Sequence, residues 1–389
     1  MGADFKIWGQ NPEESALQQM RNACSLPVSI KGALMPDCHT GYGLPVGGVL
    51  ATKNTVIPYA VGVDISCSVK ISVFDLPAIY LKKNESLLKQ VLEQQTRFGV
   101  GAEFKEKEKR YHPVMDEDWS VSLVTQRFKD KAWTQLGTSG SGNHFVEFGI
   151  FQINENDLGL PPGEYTALLS HSGSRGTGAA VCEYYSRLAQ KEHPELPKEL
   201  KHLAWLSLDS TTGQEYWKAM QLMHDYATAN HELIHKHIAK ALHSKVLFTF
   251  GNSHNLAWKE THYGNELIVH RKGATPADKG LLGIIPGSMA SPTYLVRGKG
   301  NTESLRSCAH GAGRLMSRTQ AKKTFNWKQA SPYLKEKDVI LLSAGIDEVP
   351  FVYKDIHEIM EAQKDLVDII AQFIPKIVKM APSGERPED

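Results

Sequence analysis

In the segment GVDISC, Asp64 and Cys67 stand three residues apart, so both reach one cation if the backbone turns between them. Thiolate and carboxylate, completed by imidazole, suit a borderline divalent metal such as zinc, manganese or cobalt. A buried cysteine beside a turn aspartate accounts for the same letters. The segment GTSGSGNHFVEFG sets Asn143, His144 and Glu147 at the mouth of an apolar run, behind a loop whose small residues suit an anion cradle or a plain connection. In LLSHSGSRGTG an apolar run leads into His171, a Gly/Ser loop with Arg175 and a helix start, a pattern suited to phosphate. His254 and Asn255 follow another run in FTFGNSHNLAW, and IIPGSMASPTYLVRGKG is rich in backbone amides. In SCAHGAGRLMSR, His310 precedes a glycine-opened stretch read as a helix, with Arg314 and Arg318 four apart on one face.

Charge sharpens this last segment. The chain as a whole is nearly neutral, with 44 basic and 43 acidic residues, so any nucleic-acid site must be local. Between Arg297 and Lys328, eight Lys or Arg face a single acid, Glu303. A phosphate-rich partner explains such a run around a histidine better than a solvated face does. One further motif competes. His231, Glu232 and His235 spell HExxH on a helical stretch, the spacing of a zinc peptidase. The extended motif fails, because the positions for its Gly and third His hold His237 and Ala241. A solvated, His-rich helix face is the expected reading.

The elements that must position these residues mix strands and helices without strict alternation, which predicts an α+β fold of mixed sheets with surrounding helices and a strand-end metal site. Strands are expected at residues 46–52, 59–65, 69–74, 145–151, 165–170, 245–250, 266–270 and 339–343. Helices are expected at 84–98, 214–243, 354–372 and just after Gly311, while 116–136 fits either type. Strand ends are where ligand sites form, and most of the polar residues above fall there. No repeat or linker divides the chain, so residues 1–389 are expected to form one domain. Five scattered cysteines argue against a disulfide framework, and no apolar run is long enough to span a bilayer. The opening residues MGADFKIWGQ carry no basic region followed by an apolar run and fit myristoylation poorly, so the expected compartment is the cytoplasm.

Taken together, the six segments resemble the RtcB family of RNA ligases from about Met35 to Tyr353. The resemblance implies a GTP-dependent ligase with two manganese ions, bridged by Cys67, with His144 and His171 on one ion and Asp64 and His254 on the other. It implies that His310 carries GMP as a covalent intermediate. Nucleotide contacts fall by resemblance on Asn143, Glu147 and Asn255, on Pro286, Gly287, Ser288 and Met289, on Thr293 and Tyr294, and on Gly311, Ala312 and Gly313. The family's terminal nucleotide lysine falls on Lys379, one place out of register, with a tail beyond. Arg175, Arg314 and Arg318 match arginines that hold an RNA 3′-phosphate. The implied substrates are RNA 3′-phosphate or 2′,3′-cyclic phosphate ends and 5′-hydroxyl ends, with an archease-type activator as a possible partner and no membrane. Ser66, Ser68 and Ala309 depart from the family pattern, and a GTP or RNA-end binding protein with impaired turnover is the non-enzyme alternative.

Overall fold

The structure is a computed structural model, described here for residues 2–384. Its largest sheet has eight strands. Along it run Leu282–Ile285, Thr293–Gly298, Val367–Met380, Phe145–Ile153, Gly163–Ser172, Ser68–Pro77 and Val246–Ser253. The eighth, Ile340–Ser343, lies parallel to the second half of Val367–Met380. A five-stranded sheet combines Phe5–Ile7, Ser29–His39, Val46–Thr52, Asn265–Lys272 and Asn255–His262. Ala274–Pro276 pairs antiparallel with Ser307–Ala309, which delivers the chain to His310. The class is α+β.

Helices cover one face of the large sheet. Thr211–Leu242 is the longest, begun by Ser210, whose hydroxyl accepts from the Gly213 amide, and ended by His243 in a left-handed conformation. Its buried positions recur every three or four residues, including Tyr216, Met220, Met223 and Tyr226, and meet Val181, Cys182 and Tyr185 of Arg175–Glu192 in the main core. Phe151, Leu169 and Phe373 belong to a second core on the sheet, and all five cysteines are buried thiols. Among the described residues no helix is long and apolar enough to cross a membrane.

The structure corrects several expected elements. Residues 59–65 are no strand: Pro58 opens a single helical turn, Pro58–Val61, and Gly62 at φ 111° turns the chain into the loop carrying Asp64. The long helix expected at 354–372 is a short one, Ile356–Glu361, followed by the strand Val367–Met380. That strand buries Ala371, Phe373, Pro375 and Ile377, a period of two, and tolerates Pro375 beside a break in register. Its pairing on both edges overrides the helical reading. No helix follows Gly311 directly. Residues 310–317 form a loop, and the helix Arg318–Thr324 begins where Ser317 accepts from the Gln320 amide. The doubtful 116–136 stretch contains the helix Leu123–Gln135.

Candidate metal centre and cavity

Strand ends from both halves of the molecule open on a cavity of about 530 Å³, in the range of small-molecule sites. At its floor lie Cys67, His171 and His254, whose ligand atoms fall within 4.8 Å of one another, and Asp64, which with Cys67 and the adjoining His144 makes a second such set. All five residues are buried. Cys67 belongs to both sets. The partition expected from resemblance is therefore corrected: His171 groups with His254, and His144 with Asp64. The reason is geometric, since His171 Nε2 lies 3.3 Å from His254 Nε2 and His144 Nε2 lies 3.2 Å from Asp64 Oδ2.

The ring orientations fit metal ligation. His144 Nδ1–H donates to the Ser139 carbonyl at 2.8 Å, and His171 Nδ1–H donates to the Asn143 carbonyl at 3.1 Å. A carbonyl can only accept, so each Nε2 keeps its lone pair and faces Cys67 Sγ, at 3.4 and 3.0 Å. Burial pushes the basicity of His171 and His254 well below the usual range, keeping both neutral. Asp64 Oδ1 accepts from the Ser174 amide at 3.0 Å, while its buried Oδ2 has no hydrogen-bond partner. A buried carboxylate oxygen left bare beside a thiol and three imidazole nitrogens is the donor set a divalent cation requires. The approach demands glycine: a Cβ at Gly173 would sit 2.1 Å from Asp64 Oδ2.

His310 stands at the same floor, its ring centroid 4.9 Å from that of His254. Asp37, wholly buried, accepts from the His310 amide at 3.0 Å, from Nδ1–H at 2.7 Å and from the Gly311 amide at 3.2 Å. Nε2 is thereby left as the free nitrogen. The His310 and Gly311 amides are thus engaged by Asp37. Gly313, at φ 73°, has no room for a Cβ, which would lie 2.1 Å from the Asp37 carbonyl oxygen. Asp37 lies 273 residues from His310 along the chain, so no local pattern marks it as that histidine's partner.

Most expected nucleotide-contact residues line this cavity: Asn143, Glu147, Asn255, Thr293, the four residues from Pro286 to Met289 and the three from Gly311 to Gly313. Glu147 is buried, and desolvation pushes its pKa well above the usual carboxylate range. Two positions fall elsewhere. Tyr294 points to the opposite side of its strand and bonds His357 Nδ1 at 2.8 Å. Lys379 likewise projects away from its cavity-lining neighbours Val378 and Met380, and Nζ donates to the Leu92 carbonyl at 3.3 Å. The last residues of the tail, 385–389, lie outside the described residues.

Arg175 is fully buried behind His144, where it donates to Thr138 Oγ1 and the Ser139 carbonyl, both at 3.2 Å. It braces the histidine loop from behind, and a Cβ at Gly140 would fall 1.7 Å from its Nη1. Two of the amides in these loops are engaged within the fold, Ser139 with the Arg97 carbonyl and Ser174 with Asp64. Arg314 and Arg318 do line the cavity, one from the loop and one from the first residue of the helix.

The HELIH helix is not solvated, which corrects the expected reading. His231 Nδ1 and His235 Nε2 meet on one hydroxyl, Ser170 Oγ, at 2.6 and 2.8 Å, and both rings are buried. Glu232 turns outward to His112 Nε2 at 3.0 Å, away from both histidines. A peptidase site needs the two imidazoles converging on an open metal position beside the glutamate. Here a serine fills that position.

Fold and site together define a class: an α+β protein with a buried cluster able to hold metal at the floor of a nucleotide-sized cavity. A sequence profile of the family described as tRNA-splicing ligase RtcB matches residues 19–380. The chain is 36% identical to the RNA-splicing ligase RtcB of Escherichia coli K12, with 95% of each chain covered. It is 32% identical to the tRNA-splicing ligase RtcB of Nanoarchaeum equitans, over 97% of this chain and 94% of the relative. The chain belongs to the RtcB family.

Proposed function

We propose that this chain is an RNA ligase that joins 3′-phosphate or 2′,3′-cyclic phosphate ends to 5′-hydroxyl ends, using GTP, with a role in RNA repair or tRNA splicing. The observation that carries this reading is His310. Its Nδ1–H is held by buried Asp37, so in the neutral ring the lone pair falls on Nε2, and the ring stands beside the metal-capable cluster. A neutral imidazole fixed in that tautomer is a competent nucleophile toward the α-phosphorus of GTP. Nε2 forms a bond to phosphorus, the bond to pyrophosphate breaks, and His310 carries GMP. The GMP then passes to the RNA 3′-phosphate. The 5′-hydroxyl of the second end attacks the activated phosphorus, and GMP leaves. A cyclic phosphate is first opened by water to the 3′-phosphate.

Asp64, Cys67, His144, His171 and His254 would hold two divalent ions, manganese in this reading. The ions would supply charge withdrawal from phosphate oxygens and orientation of the leaving group. The residues lining the cavity bind the nucleotide, and Arg314 and Arg318 face the RNA phosphate. Residues 1–389 act as one domain in the cytoplasm, and an archease-type activator is a compatible partner. The names of the family's curated relatives, RNA- and tRNA-splicing ligases, support the ligase reading.

The test is incubation with GTP and manganese followed by intact-mass spectrometry. The expected gain is one GMP, located on His310 and absent from His310→Ala. Metal bound without any adduct would favour the impaired binding protein. Undiminished labelling of the Ala variant would remove His310 from the chemistry.

A further inference from the structure

Beyond the cluster and the nucleophile, one buried acid on the cavity wall has no part in the chemistry above. Glu348 is 1% exposed and ends the single 3-10 turn Ile346–Glu348. Three donors from three segments meet on its carboxylate. Arg314 Nη1 donates from the loop after His310 at 3.4 and 3.5 Å, Arg318 Nη1 from the start of its helix, and Tyr353 Oη from the strand-like stretch beyond. Arg314 is further tied by Nη2–H to the Asp347 carbonyl at 2.8 Å and by Nε–H to the Met316 carbonyl at 3.2 Å, and it stacks 5.5 Å from the Tyr353 ring centroid. Backbone bonds pin the same segments together, Leu315 N–H to the Val352 carbonyl and Lys354 N–H to the Gly313 carbonyl. Two guanidiniums that share no helix, and would repel each other alone, thus meet on the Glu348 carboxylate at the cavity wall. Asp347 Oδ2 adds a contact to Arg318 at 3.3 Å.

We propose that Glu348 is the positioning residue for phosphate recognition in this site: it sets the Arg314–Arg318 pair at the spacing that grips a terminal phosphomonoester, with Tyr353 holding the carboxylate in turn. This rests on the reading of Arg314 and Arg318 as contacts to the RNA 3′-phosphate. The carboxylate's hydrogen-bond partners are Arg314, Arg318 and Tyr353, and none of them is a metal-capable residue, so in this proposal it acts through the arginines. A fixed pair of cations presents its N–H groups in one arrangement, whereas two freed arginines must be ordered by each incoming phosphate. The selective consequence is loss of discrimination for the phosphate group, with nucleotidyl transfer to His310 little affected.

The test compares binding of one RNA oligonucleotide carrying either a 3′-phosphate or a 3′-hydroxyl to the manganese-loaded full chain, alongside the rate of His310 labelling. Wild type should prefer the phosphate end. Glu348→Gln keeps the volume but cannot accept from all three donors, and should lower that preference about 10-fold while labelling stays within about twofold. Tyr353→Phe, which leaves every charge in place, should shift the preference the same way by about threefold, and it decides the matter if the Gln variant does not fold. An unchanged preference in the folded variant, with Arg314→Ala losing it, overturns the positioning role. Tighter binding of the phosphate end by Glu348→Gln also overturns it, because the carboxylate would then be a competitor. Equal affinity for both ends in wild type and in Arg314→Ala would instead show that the arginine reading itself is wrong, and this proposal with it.

Discussion

At the level of single residues, the proposed chemistry depends on which nitrogen of His310 is free, and buried Asp37 holds Nδ1. Asp37→Asn should slow His310 labelling by about 10- to 150-fold, the loss of one charge-assisted bond of about 1.5–3 kcal/mol. The Asn side chain can still hold the ring, but its amide can turn the wrong group toward Nδ1. Single-turnover labelling measures this, and a wild-type rate would mean that the tautomer is set elsewhere. The two ligand sets make a second prediction. Cys67→Ser should weaken both metals, because Cys67 is shared, whereas His171→Ala should weaken mainly the ion shared with His254. Titration of metal content against chelator reads both, and two sites untouched by Cys67→Ser would contradict the shared thiolate.

Elements convert a spacing in sequence into a direction in space. The strand Val367–Met380 alternates its sides, so Val378 and Met380 face the cavity and Lys379 cannot. Lys379→Met should leave GTP affinity within about twofold, because a strand residue does not reach round to the other face. A tenfold loss by equilibrium binding would require the strand to slip register. Only its first residues, 367–372, fall in the helix expected at 354–372; the apolar letters there satisfy both periods, and the sheet partners are remote in sequence. The HELIH helix illustrates the reverse case: its position was legible, but its surroundings were not. His231→Ala and His235→Ala should keep full metal content and cost stability, about 1–3 kcal/mol each, by stranding the Ser170 hydroxyl and its neighbours. Lost metal would restore the peptidase reading.

Across the whole molecule, buried neutral histidines couple folding to pH. His270 donates Nδ1–H to the Leu50 carbonyl and accepts the Ile57 amide at Nε2, and burial lowers its pKa to about 4. The unfolded chain takes up that proton near pH 6.5 and the native chain does not, so stability falls as pH drops from 6.5 toward 4. His270→Gln should lose about 2 kcal/mol less than wild type between pH 7 and pH 5, measured by urea unfolding of the metal-free protein. A drop equal to that of wild type would place the titration on other groups. The residues that converge on the candidate site were readable without a fold because Asp64, Cys67, His144, His171, His254 and His310 each sit in a short motif of glycines and strand ends. Local pattern also sufficed for the α+β class and for the long helix, whose periodicity is carried within its own residues. Which histidines share a metal set, the carboxylate behind His310, the acid between the arginines and the face taken by Lys379 all depend on partners tens to hundreds of residues away. Only chain packing decides those, because hydrogen-bond and ligand geometry is set by distance in space, and spacing along the chain carries no record of it.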